Sequence, residues 1–342
     1  MLEHGGRLRA AAAHYGIPTG EWLDLSTGIN PDPWPVPPLP ASAWQRLPED
    51  DDGLEAAAAS LYGNPGLLPV AGSQAAIQLL PALLPRAAVA CVSPLYAEHP
   101  HCWQKAGHRV RLITGSLSRA LAAATPYVLL CNPNNPTATA HTRAALLHAA
   151  SELKRRGGWL IVDEAFIDPT PDDSVADLAG TPAAPRLIVL RSLGKFFGLA
   201  GARVGFVLAA AELLQRMRAE LGPWTVSGPA RSVARLALAD LDWQRTARHR
   251  LLAAGERLHD LLAAHGEVHG TALFATLRRA DGAQLHDHVA HRGILTRLFA
   301  EHGLLRFGLP GSEDDWQRLH AALQSLPQQA AVTQPGAMHA DA

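Results

Sequence analysis

A chain of 342 residues, 48% hydrophobic and 18% charged, exceeds one ordinary hydrophobic core and predicts two closely associated globular domains. Its formal net charge of -1 argues against a nucleic-acid footprint or a membrane-surface role. No apolar run is long enough to span a bilayer, the first residues have no apolar leader pattern, and Cys91, Cys102 and Cys131 form no paired spacing, so a cytoplasmic protein is expected.

Taken in order, residues 1–40 are broken by proline and glycine and read as a wandering arm. The arm holds a helix-like segment, Arg7–Tyr15, and an extended proline cluster, Pro31–Pro40. Gly53–Tyr62 reads as a helix. From about residue 68, strand candidates (Ala88–Val92, Val110–Ile113, Val128–Cys131, Leu160–Val162, Leu187–Leu190, Val204–Leu208) are interleaved with helical stretches at Ser73–Leu84, Tyr96–Ala106 and Thr142–Arg156. Continuous apolar strands separated by amphipathic helices predict a mainly parallel α/β sheet covered on both faces, with ligands beyond the carboxyl ends of its strands. A long helix is expected from Ser232 to about His265. Beyond it, strands at Leu273–Leu277, Ile294–Leu298 and Leu304–Leu309 alternate with helices at Gln284–His291 and Glu313–Leu326, as in a small α+β domain. The expected division is an arm (1–40) serving the small domain and the active site, a large domain (41–225), a small domain (226–328) and a disordered tail (329–342).

Four stretches at strand ends carry the chemistry. Gly72-Ser73-Gln74 opens a helix, where free N–H groups and a hydroxyl suit an anion, although Gly-Ser is also a common helix cap. Asn132-Pro133-Asn134-Asn135-Pro136 reads as a rigid turn presenting amides, or as a turn with no ligand. Asp163-Glu164 ends an apolar strand in two carboxylates, which at that depth need cationic partners. Finally, Ser192, Lys195 and Arg203 lie in one glycine-rich apolar stretch. Lysine occurs only at positions 105, 154 and 195, and the first two have polar surroundings. A lysine between an apolar strand and a glycine-rich segment is either salt-bridged or a Schiff-base amine whose pKa burial has lowered. Anion cradle, buried carboxylate and buried lysine together are what pyridoxal phosphate requires. A nicotinamide site would want Gly-x-Gly-x-x-Gly after the first strand, which is missing. The seventeen histidines, densest at His99/His101 and His286/His288/His291, lack helical zinc spacing, so surface histidines and no metal site are expected.

The ordered set Gly72-Ser73-Gln74, Asn134-Asn135-Pro136-Thr137, Asp163-Glu164-Ala165-Phe166, Ser192-Leu193-Gly194-Lys195 and Arg203-Val204-Gly205 resembles the fold type I pyridoxal-phosphate enzymes of the class I/II aminotransferase superfamily. His4-Gly5-Gly6, Leu25 to Pro31, and Leu221 to Pro229 are most similar to the threonine-phosphate decarboxylase group of cobalamin biosynthesis, which is related to histidinol-phosphate aminotransferase. The resemblance implies a fold type I architecture: a large domain on a mainly parallel seven-stranded sheet, a smaller α+β domain, and a homodimer. It implies Lys195 as the Schiff-base lysine, Asp163 at the pyridine nitrogen, Asn135 at the ring 3'-oxygen and Tyr96 against the ring face. Gly72, Ser73, Gln74, Ser192 and Arg203 would form the phosphate site. For the phosphorylated amino-acid substrate it implies Arg306 at the α-carboxylate, Arg297 at the phosphate, and His4 and Asn30 from the arm; read alone, the two arginines could equally be surface residues of a hairpin. Phe166 stands where many relatives have tyrosine, Gly194 where serine is common, and Arg46-Leu47-Pro48 where histidinol-phosphate aminotransferases carry a tyrosine. The implied reaction is decarboxylation of L-threonine O-3-phosphate to (R)-1-amino-2-propanol O-2-phosphate. The alternative is a histidinol-phosphate-type aminotransferase, which would use the same residues.

Overall fold

The computed structural model describes residues 4–326; the tail expected over 329–342 lies outside them. In chain order the strands are β1 (Leu23–Asp24), β2 (Leu67–Val70), β3 (Ala88–Ser93), β4 (Arg109–Thr114), β5 (Tyr127–Cys131), β6 (Trp159–Asp163), β7 (Leu187–Ser192), β8 (Gly205–Leu208), β9 (Glu267–Gly270), β10 (Phe274–Arg278), β11 (Ile294–Leu295), β12 (Arg297–Phe299) and β13 (Leu304–Gly308). The helices are α1 (Leu8–Tyr15), α2 (Ser42–Gln45), α3 (Leu54–Tyr62), α4 (Ser73–Leu83), α5 (Glu98–Lys105), α6 (Leu117–Ala122), α7 (Arg143–Arg155), α8 (Ala211–Leu221), α9 (Gly228–Ala239), α10 (Leu241–Ala263), α11 (Gly282–Ala290) and α12 (Glu313–Gln324).

Seven strands form one sheet in the order β2-β8-β7-β6-β5-β3-β4. The five from β7 to β4 run parallel, while β8 is antiparallel to both of its neighbours. The middle strands are buried on both faces, which is why they read as unbroken apolar runs. Successive side chains point to opposite faces. Leu129, Ile161, Ile188, Leu190 and Val207 pack with Ile77, Leu80, Trp103 and Met217 of α4, α5 and α8. Val128, Leu130, Val162, Val189, Phe206 and Leu208 pack on the other side with Leu146, Leu153, Leu54 and Val233 of α7, α3 and α9.

Three strands with a partner on one side only were not expected: β1 in the arm, β2 and β9. β2 contains Pro69, tolerated because the strand has a partner on one side only. β9 is the mostly exposed outer strand of the antiparallel sheet β12-β13-β10-β9. The long helix expected from Ser232 is instead two helices, α9 and α10, divided at Asp240. There the backbone leaves helical geometry, and the carboxylate accepts the Trp243 N–H (3.0 Å) and the indole N–H of Trp34 (3.0 Å). Asp240 thereby caps the helix that follows it. The strand expected at Ile294–Leu298 likewise divides at Thr296, whose hydroxyl meets His286 Nδ1 at 2.7 Å. Its first half pairs in parallel with β1 of the arm and its second half pairs with β13.

Candidate active site

The strands β2, β3, β5, β6 and β7 each lead into the site at their carboxyl ends. After β2 the chain turns through Gly72 at φ 73°, and a Cβ there would lie 2.5 Å from Arg203 Nη2. No side chain caps the α4 helix that follows, so its first N–H groups, Ser73 and Gln74, face outward with the positive end of the helix dipole. Arg203 closes this corner from a left-handed conformation, φ 55°, which a non-glycine residue adopts only under constraint. The Gln74 side chain does not join the cradle. Its amide donates to Glu98 (2.9 Å) and accepts from the Tyr96 hydroxyl (3.2 Å), leaving only its backbone N–H to the anion corner.

After β3, burial and the nearby charges of Glu98 and Asp163 push the Tyr96 hydroxyl up to about 12, so it stays neutral. One helical turn on is His99, at 1% exposure, with Nε2 2.8 Å from Asp163 Oδ2. The expectation of surface histidines fails here: His99 fills the gap behind the carboxylate. Its polar neighbours, Glu98 and His101, hid it. His99, Cys131 and Asp163 also bring N, S and O atoms within 4.8 Å of one another, yet burial pushes the Cys131 thiol well up and keeps it a poor cation ligand.

Beyond β5, the asparagines divide their work. Asn132 exchanges two hydrogen bonds with the His141 backbone, and Asn134 accepts the Thr137 N–H, so both are spent on the turn. That leaves Asn135 to face the cavity, where its Oδ1 accepts from Arg306 Nη1 at 2.5 Å. At the end of β6 the two acids part company. Asp163 also accepts the Ala165 N–H at 3.0 Å. Glu164, fully buried, points away to Arg191 Nη1 (2.9 Å), the Ser174 hydroxyl (2.5 Å) and the Val175 N–H (2.9 Å), while Arg191 also meets Asp168 and lies over the Tyr62 ring. Burial still outweighs Arg191 and holds the Glu164 carboxyl above its ordinary range.

Lys195 follows β7, with Nζ 5.4 Å from the Phe166 ring centroid. Its side chain reaches the cavity but is otherwise hemmed in by protein atoms. Desolvation, joined by the charges of Arg306 and Arg203 and opposed by Asp163, lowers its amine to about 8. Asn30 does not line the cavity. Its backbone N–H donates to Lys195 O (3.0 Å) and its amide to Phe196 O (2.8 Å), so it braces the lysine turn from behind.

The opposite wall is β12–β13, where Arg297 and Arg306 are direct cross-strand partners. Arg306 is 5% exposed; besides Asn135 it donates to Ser26 O at 2.5 Å, and its Nε finds no partner among the described residues. Burial and the charge of Arg297 lower it to about 10. The arm completes the enclosure: Gly6 N donates to Ser26 Oγ (2.7 Å), and His4 Nε2 meets Glu98 at 2.8 Å. A cavity of about 940 Å³ thus brings together His4, Ser73, Gln74, Tyr96, Asn135, Asp163, Ser192, Lys195, Arg203, Arg297 and Arg306. Gly72 lies just behind it.

Comparison with known proteins gives this geometry a lineage. The chain is 53% identical over 332 residues to a threonine-phosphate decarboxylase of Pseudomonas aeruginosa, covering 96% of this chain and 99% of that protein. To one from a Sinorhizobium species it is 43% identical, covering 87% and 90%. Among solved structures, histidinol-phosphate aminotransferase of Sinorhizobium meliloti in complex with pyridoxal-5'-phosphate superposes with a TM-score of 0.79 at 21% identity, covering 94% of each chain. L-threonine-O-3-phosphate decarboxylase of Porphyromonas gingivalis gives 0.73 at 20% identity, covering 83% of this chain and 91% of the other. The family profile of class I and II aminotransferases matches residues 45–322, and the chain belongs to that family.

Proposed function

We propose that this chain is a pyridoxal-phosphate-dependent carboxy-lyase that converts L-threonine O-3-phosphate to (R)-1-amino-2-propanol O-2-phosphate for cobalamin assembly. The observation that carries the reading is the 53% identity, across nearly the whole chain, to a threonine-phosphate decarboxylase.

The residues present fit the cofactor. An uncapped helix N-terminus, the Ser73 and Ser192 hydroxyls and a guanidinium held in a strained conformation make a receptor for a phosphate dianion. A side chain at Gly72 would fill that corner. Asp163, pinned by His99 and the Ala165 N–H, would face the pyridine nitrogen, Tyr96 the ring face and Asn135 the 3'-oxygen. When bound, the cofactor supplies an electron-accepting ring that stabilises the substrate carbon losing its carboxyl group.

The chain's own residues do the rest. Lys195, its amine lowered to about 8, would hold the cofactor through its aldehyde and would carry a proton back to Cα. Arg306, buried among neutral partners with an unbonded Nε, would take the α-carboxylate. Arg297 would take the substrate phosphate, and His4 would close the arm over it. Asn30 serves by bracing the Lys195 turn. The C–C bond breaks, carbon dioxide leaves, and a proton from Lys195 replaces it at Cα.

The division into arm, large domain and small domain at about residues 40 and 225 is part of the same proposal, with the cavity between the two domains. So is a cytoplasmic homodimer covering the exposed Trp44, Leu47 and Trp224, which are 70%, 63% and 58% accessible. Steady-state assays test the reaction. Carbon dioxide should be released from O-phospho-L-threonine far faster than from L-threonine. Keto acid formed with 2-oxoglutarate as acceptor, without carbon dioxide, would favour the aminotransferase reading instead.

A further inference from the structure

The wall opposite Lys195 contains an arrangement that simple electrostatics disfavours. Arg297 and Arg306 stand directly opposite each other on β12 and β13 and both face the cavity, and like charges in direct cross-strand register repel. The partners seen for Arg306, the Asn135 amide oxygen and the Ser26 carbonyl, are both neutral. Two residues along β12 from Arg297, and so on the same face, is Phe299. The Arg297 guanidinium carbon lies 5.1 Å from its ring centroid and that of Arg306 lies 5.9 Å from it. On its other side Arg306 lies 5.4 Å from the Phe274 ring centroid. The negative faces of the rings attract both cations, and the Phe299 ring is the body shared between them.

We propose that Phe299 is the specificity-determining residue of this site, holding Arg297 and Arg306 as two distinct anion receptors so that a substrate bearing both a carboxylate and a phosphoryl group is selected over a monoanionic amino acid. The proposal rests on the functional reading above and deepens it. An aliphatic side chain of similar bulk fills the same space but offers neither cation a negative ring face. Arg297 would then lose the ring face beside which it is placed, while Asn135 and Ser26 still anchor Arg306. A phenol ring keeps the quadrupole and rescues the arrangement.

The test compares kcat and KM of the holoenzyme for O-phospho-L-threonine and L-threonine in wild type, Phe299→Leu, Phe299→Met and Phe299→Tyr, each checked for bound-cofactor absorbance and thermal midpoint. About 1.4 kcal/mol of cation–π interaction corresponds to tenfold. The ratio of kcat/KM for the phosphorylated over the unphosphorylated substrate should therefore fall about tenfold in Phe299→Leu and Phe299→Met. The loss should come through KM for the phosphorylated substrate, and Phe299→Tyr should restore it. An unchanged ratio in the folded leucine or methionine variant, or a tyrosine variant as impaired as the leucine one, overturns the proposal. A wild-type enzyme that does not prefer the phosphorylated substrate overturns the functional reading on which the proposal rests, whereas strong wild-type preference retained by Phe299→Leu overturns the proposal alone.

Discussion

At the scale of single residues, the site is governed by what surrounds two groups, the Lys195 amine and the Asp163 carboxylate. Burial and two neighbouring arginines lower Lys195 to about 8. The amine is therefore mostly protonated at pH 7 and mostly free at pH 9. Covalent capture of pyridoxal phosphate by the apoprotein, followed by absorbance, should accelerate as pH rises through about 8 and level off above it; Lys195→Ala should give no capture at any pH. The sign follows from the free amine being the nucleophile. Asp163 depends on His99, whose buried ring nitrogen lies 2.8 Å away. A hydrogen bond to a charged group is worth about 1.5–3 kcal/mol. His99→Phe should accordingly weaken cofactor binding about 10- to 100-fold in an equilibrium titration while the protein stays folded. Unchanged affinity would show that Asp163 needs no such brace.

At the scale of elements, the strand ends are held by groups that never touch the cavity. Glu164, Arg191, Asp168 and Ser174 tie the carboxyl ends of β6 and β7 together from behind. Without Glu164, Arg191 keeps Asp168, but the Ser174 hydroxyl and the Val175 N–H lose their acceptor, at a cost of about 1–3 kcal/mol for each buried group left unsatisfied. Glu164→Leu should lower the denaturant midpoint accordingly, measured on the apoprotein so that cofactor binding does not contribute. Gly72 sets the corner between β2 and α4. Gly72→Ala combines a left-handed backbone with a Cβ at 2.5 Å from Arg203 Nη2, and should weaken cofactor binding more than it weakens the fold. The central strands were legible in the sequence because burial on both faces writes an unbroken apolar run. The edge strands β2 and β9 were not, since one carries a proline and the other is mostly exposed. The α9–α10 break was hidden because Asp240 sits among residues that would also suit a helix surface, and its partner Trp34 is 206 positions away.

At the scale of the whole molecule, the cavity is assembled from three distant parts of the chain: the arm, the sheet ends and the β12–β13 wall. The motif residues that face it were legible as local patterns at strand ends. Their mutual bonds were not. Arg306 reaches Asn135 across 171 positions and Ser26 across 280, and no spacing rule predicts such pairs. Nor could local pattern show that Asn30 and the Gln74 side chain are spent on neighbours. The parallel pairing of β1 with β11 and the contact of Ser26 with Arg306 fasten the arm to the same wall that carries both arginines. The proposed roles, Arg306 for the carboxylate and Arg297 for the phosphate, suit a phosphorylated amino acid, and the 53% identity to a threonine-phosphate decarboxylase supports loss of its carboxyl group. The most direct measurement uses carboxyl-labelled O-phospho-L-threonine with the holoenzyme in deuterated water. The account predicts that the label leaves as carbon dioxide, one per amine formed, with one solvent deuterium at the former Cα. Label retained in a 2-oxo acid, with the amino group passed to an acceptor, would contradict it.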